Sequence, residues 1–139
     1  MGKQNKKIKV PSAQQGGKVK YQEPTNYDKN PPVFSLEKLQ TGNYCLSKLN
    51  EEHKARFADA IFRRKNCSWE EIKKIDRHGL GTEKIPKSAI KAPIPNFITD
   101  EVTDFLAFRY HGKCPMVGYR QRDIFFVLWF DHNFTLYDH

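Results

Sequence analysis

The chain has 139 residues and carries 24 Lys and Arg against 16 Asp and Glu, a net charge of +8. That length accommodates one domain with a core of its own, and the charge balance favours polyanionic partners. No apolar run suits a signal peptide or a membrane span, and Cys45, Cys67 and Cys114 are too widely spaced for a zinc ribbon or a disulfide framework. The expectation is a soluble cytoplasmic protein with no membrane association, no metal and no cofactor.

Residues 1–32 are rich in Lys, Gln, Gly and Pro and poor in large aliphatics, so they bury too little surface to offset ordering entropy. They read as a disordered basic tail, and residues 1–30 alone hold seven Lys against two acids. Pro31-Pro32 marks the entrance to a single domain over 33–139. Val33-Phe34-Ser35-Leu36 reads as a short strand or the lead into a helix. Asn50 is a good N-cap, with Glu51 and Glu52 placed to suit a helix dipole. Phe57 and Ile61, with Ala58 and Phe62, then give the helix an apolar face. Ser68-Trp69-Glu70-Glu71 has the spacing of a capping box and predicts a second helix with Trp69, Ile72 and Ile75 inward. His78-Gly79-Leu80-Gly81 stops it. Between Thr82 and Thr99, Pro86, Pro93 and Pro95 keep regular structure short, with Glu83-Lys84-Ile85 extended.

The last third predicts a three-stranded antiparallel meander. Its strands are Phe105 to Tyr110, closed by His111-Gly112-Lys113; Ile124 to Phe130, a run of β-branched and aromatic residues; and Phe134 to Tyr137, after a turn at Asp131-His132-Asn133. Two helices on one face of an antiparallel sheet make an α+β domain. In this arrangement Arg109, Tyr110 and His111 at the end of one strand meet Arg120 and Arg122 at the start of the next. Tyr137, Asp138 and His139 close the same edge. Asp131 and His132 fall at the opposite edge, away from His139. The donors at His111, Cys114, Asp131 and His132 make no recognised zinc pattern.

The element order resembles the RelE/ParE toxin superfamily, above all in Gly118-Tyr119-Arg120 leading into an apolar strand and in a final Tyr137-Asp138-His139. The resemblance covers about residues 33–139, and its specificity lies in the last 35 or so. The proline-rich link, the extra Gln121-Arg122-Asp123 and the long tail depart from the family pattern. The resemblance implies a RelE-like fold, two helices packed on a C-terminal antiparallel sheet. It also implies an mRNA endonuclease acting on free or ribosome-bound message, held in check by a cognate antitoxin. A sister branch poisons DNA gyrase, so a non-catalytic nucleic-acid-binding or gyrase-poisoning member is the alternative.

Metal-free RNA cleavage needs a base for the ribose 2′-hydroxyl, a cation for the phosphorane and an acid for the leaving 5′-oxygen. Imidazole is the side chain that titrates near neutrality, which marks His139. Arg120 or Arg122 suits the phosphate, since a guanidinium holds two of its oxygens. Tyr137 suits a phosphate contact or a base stack, and Glu83 or Asp138 a second acid–base role or the orienting of His139. Arg109, Tyr110, His111, Lys84, Arg63 and Arg64 are the expected RNA contacts. His78 ranks behind these.

Overall fold

A computed structural model describes residues 25–139 of the protein. Most of the basic tail read from the sequence lies outside the described residues. Its last part does not behave as a tail, because Tyr27–Lys29 form a 3-10 turn capped by the Asn26 side chain. The main-chain carbonyl of Asn30 accepts from the Trp69 amide, and its side chain reaches Asp123. The folded body therefore begins before Pro31-Pro32.

Seven elements follow: β1 (Val33–Ser35), α1 (Glu51–Arg63), α2 (Trp69–Ile72), β2 (Thr82–Pro86), β3 (Asp104–His111), β4 (Cys114–Gln121) and β5 (Ile124–Phe130). The Asn50 side chain accepts from the His53 amide at 2.9 Å and starts α1. Ser68 and Glu71 close a reciprocal capping box on α2. That second helix lasts little more than a turn, after which the chain bends through Asp76, whose carbonyl accepts from the amides of Gly79 and Gly81. A Cβ on Gly81 would come within 2.0 Å of the Ile75 carbonyl oxygen, so only glycine permits this bend.

The fold is α+β with one five-stranded mixed sheet in the order β1-β5-β4-β3-β2. β1 runs parallel to β5, and every other neighbour is antiparallel. One face packs on the helices through Phe57, Ala60, Trp69, Ile72, Phe108, Tyr110, Met116, Phe125, Val127 and Phe130. The other face holds Ile85, Phe105, Ala107, Val117, Leu128, Trp129, Leu136 and Tyr137, covered by the proline-rich link and the segment after β5. Burial on both faces explains why β5 is apolar without alternation. No helix among the described residues is long and apolar enough to cross a membrane.

The predicted meander is corrected in two places. Cys114–Gln121, which the expected meander did not include, is a full strand in spite of Pro115 and Gly118. The ladder is irregular beside both residues, with a shift between Arg109 and His111 and a bulge between Val117 and Gly118. At the bulge a Cβ on Gly118 would lie 1.8 Å from the Phe126 carbonyl oxygen. Phe134 to Tyr137 is not a strand, because the Asp131 carboxylate accepts from the Thr135 and Leu136 amides and curls the segment. The extra strand also moves Arg122 into the two-residue turn between β4 and β5, where its φ is 59°.

Candidate functional site

Adding β4 reverses the edge geometry that three strands would give. Arg109 lies opposite Pro115 at one end of β4, whereas Arg120 lies five residues further along, roughly 16 Å away at ~3.3 Å per residue. Arg120 and Arg122 are thus far from His139 and have structural work. The Arg120 guanidinium sits 4.3 Å over the Trp69 ring, donates to Asp28 at 2.6 Å and donates to the Arg122 carbonyl at 2.6 Å.

The opposite sheet end holds a cleft of about 410 Å³ lined by Arg77, His78, Glu83, Arg109, Lys113, Phe134, Tyr137, Asp138 and His139. Each element contributes for a local reason. The glycine-dependent bend before β2 presents Arg77 and His78. Glu83 pairs with Ala107 and Arg109 follows two residues on, so strand alternation puts both on the face away from the helices. Gly112, with φ 57°, makes the tight β3–β4 turn that carries Lys113. The segment after β5 is wound back over this face by Asp131.

Asp131 is fully buried. One of its carboxylate oxygens accepts from the Thr135 and Leu136 amides at 2.9 and 3.1 Å, and the other lies 2.8 Å from His139 Nε2. Asp131 and His139 are therefore partners, and the expectation of opposite edges is corrected: the chain turns after β5 but then returns instead of extending. Because a carboxylate only accepts, Nε2 of His139 carries a proton, and in the neutral imidazole Nδ1 is the nitrogen with the lone pair. The Tyr137 ring stacks on His139 at 4.1 Å. Burial, with Glu83 and Asp131 nearby, pushes the Tyr137 hydroxyl up to about 12, against the opposing pull of Arg109 and Arg77. Tyr137 is 7% exposed, and its hydroxyl has no hydrogen-bond partner among the described residues, so it is a protonated donor at the cleft wall.

On the facing side, Arg109 Nη1 donates to His78 Nδ1 at 2.6 Å. That leaves the His78 proton on Nε2, the reverse of His139. Arg77 holds Glu83 at 2.7 Å and Lys91 holds Asp138 at 2.6 Å, so both carboxylates lining the cleft already have cations. Arg109 and Lys113 have no carboxylate partner among the described residues. The cleft is left with net positive character and two imidazoles of opposite polarity.

The remaining sequence candidates lie elsewhere. Tyr110 is buried on the helix face with its hydroxyl 2.8 Å from His53 Nδ1, and burial raises its pKa. His111 meets Glu52 of α1 at 3.1 Å. Arg64 is 1% exposed, lies 4.8 Å over the Phe108 ring and donates to the carbonyls of Ala60, Leu80 and Arg109. It braces the cleft from behind and does not meet solvent. Arg63 is exposed on α1, and Lys84 lines a second hollow beside Trp69 and Arg120. Of the expected residues the structure gathers His139, Tyr137, Glu83, Asp138 and Arg109, and it promotes His78. Sequence reasoning missed Asp131, Arg77, Lys113 and Phe134. His78 and Glu83, five residues apart around two glycines, carried the one usable signal. Among the described residues no three His, Cys, Asp or Glu side chains converge as a metal-holding group.

Compared with protein-family models, with curated proteins and with solved structures, the chain finds no match.

Proposed function

We propose that the cleft cleaves RNA by metal-free acid–base catalysis. The observation that carries this reading is the pair of imidazoles facing one cleft in complementary tautomers, His139 with a free Nδ1 and His78 with a protonated Nε2, beside Arg109. In the reaction His139 takes the proton of a ribose 2′-hydroxyl, and the 2′-oxygen attacks the adjacent phosphorus. Arg109, assisted by Lys113, neutralises the equatorial oxygens, and the Tyr137 hydroxyl donates to the same charge. The Tyr137 hydroxyl gives its proton to the departing 5′-oxygen and recovers it from the His139 imidazolium, while the His78 Nε2–H hydrogen-bonds the phosphorane. The products are a 2′,3′-cyclic phosphate and a free 5′-hydroxyl, so atoms and charge balance without a water molecule. Glu83 fixes Arg77, and Asp131 fixes His139.

Within this reading the chain is a toxin-type endoribonuclease of mRNA, on or off the ribosome, restrained by an antitoxin protein that covers the cleft. The basic composition and the RelE/ParE resemblance support that extension. The test is inducible expression of wild type and His139→Ala in bacteria, with growth and mRNA 5′ ends followed by primer extension. Purified protein is assayed on RNA in parallel, with and without chelator. New 5′ ends that vanish in the variant uphold the reading. Arrest with intact message moves the target to gyrase, and absence of both arrest and cleavage overturns it.

A further inference from the structure

Phe134 is the apolar exception in a polar cleft. Its backbone has φ 60°, a left-handed conformation that bulky side chains rarely adopt. The neighbours hold it there. Thr135 and Leu136 are pinned through their amides to Asp131, the Leu136 side chain is fully buried, and the Thr135 hydroxyl bonds Asn133 and Tyr44. The result of that strain is an exposed Phe134, 44% accessible as a residue, at the cleft mouth, its ring T-shaped to His139 with centroids 5.1 Å apart. A core role does not account for a residue so exposed, and a glycine or asparagine would occupy this backbone more easily. The strain is spent on display.

We infer that Phe134 is a nucleobase platform. An aromatic face beside unpaired cations is the combination that binds single-stranded nucleic acid, stacking the base while the cations hold the phosphate. Arg109 and Lys113 supply the cations here. Because the ring touches His139, the base it receives belongs to the nucleotide whose 2′-hydroxyl His139 deprotonates, on the 5′ side of the scissile bond. Stacking strength then sets the preference at that position, with purines above pyrimidines. This inference rests on the RNA-cleaving reading of the cleft.

The test uses the full chain and two substitutions. Phe134→Asn suits the left-handed backbone and removes the ring, whereas Phe134→Trp enlarges the platform. Steady-state cleavage of dinucleotides with a purine or a pyrimidine at the 5′ position is compared with thermal stability. Phe134→Asn is expected to raise KM roughly five- to hundredfold, to erase the purine preference and to leave the melting temperature unlowered. Wild-type KM and preference in Phe134→Asn would overturn the platform while cleavage itself stands. The second readout is fluorescence of Phe134→Trp, against wild type, titrated with adenosine 3′-monophosphate or ribose 5-phosphate. Quenching by the nucleotide alone upholds the base subsite even if no RNA is cut, in which case only the cleavage reading fails. Equal responses to both probes would overturn it.

Discussion

The buried carboxylate of Asp131 lies 2.8 Å from Nε2 of His139, eight residues further along the chain. One side chain thus both folds the segment after β5 and sets the tautomer of the imidazole that the segment delivers. Asp131→Asn keeps the shape but offers an amide N–H to Nε2, which turns the lone pair inward and the Nδ1 proton toward substrate. On the proposed mechanism the expected result is a fall in kcat of at least about a hundredfold with KM within a few-fold. A stability loss of roughly 1–3 kcal/mol accompanies it. Single-turnover cleavage and urea denaturation of the same preparation separate the two effects.

Arg109 and Arg120 test the placement of the cleft against each other. On the proposed mechanism Arg109→Ala removes the phosphate cation and the partner of His78, so cleavage is expected to fall by roughly two orders of magnitude or more. Arg120→Ala removes a cation–π contact and an ion pair at the far end of the sheet, costing about 1–2 kcal/mol. It leaves kcat within a few-fold. The opposite ranking in a cleavage assay would move the site to the other end of β4.

Arg64 is buried without a carboxylate partner among the described residues, and burial draws its pKa down to about 10. Its charge is balanced by three carbonyls, two of which belong to the His78 loop and to Arg109. Arg64→Met leaves those carbonyls unsatisfied and is expected to cost roughly 2–4 kcal/mol. Denaturant titration measures that loss, and an unchanged midpoint would contradict the bracing role.

His53 gives the fold a pH dependence of known sign. Burial, then the nearby His111 and His132, hold its pKa below the ordinary 6.5, with Glu52 opposing. The unfolded chain accepts this proton at higher pH than the folded one. The contribution to stability is therefore complete above about pH 6.5 and is lost as pH falls toward the depressed folded value. Melting temperature should drop between roughly pH 7 and pH 5. His53→Gln, which retains a partner for the Tyr110 hydroxyl, should flatten that slope.

What the sequence disclosed follows from how local each signal is. The caps at Asn50 and Ser68 need only three residues to be recognised, and both are formed as expected, with Phe57, Trp69 and Ile72 buried behind them. Ala58 and Phe62 were expected on that apolar face, yet they are exposed and Ala60 takes the inner position. β4 escaped notice because its evidence is tertiary: Pro115 and Gly118 weaken the local signal, and only the neighbouring strands make a bulged strand there favourable. The cleft suffered most, since inserting one strand exchanges which ends share an edge. Arg120 went to the wrong end for that reason, and Asp131 was set aside for a strand that does not form. Gly118, read as a family step, is where the main chain of β5 passes. Gly118→Ala should cost about 3 kcal/mol or more by forcing those backbones apart.

The parallel pairing of β1 with β5 joins Val33 to Ile124 and so spans nearly the whole described chain. During synthesis the first strand emerges with no partner, and it waits until all the others have been made. A nascent chain that stops short of Asp131 also lacks the carboxylate that winds the His139 imidazole into place. Long-range pairing of this kind closes late. On the RNA-cleaving reading of the cleft, the site therefore stays unassembled for most of the chain's own translation.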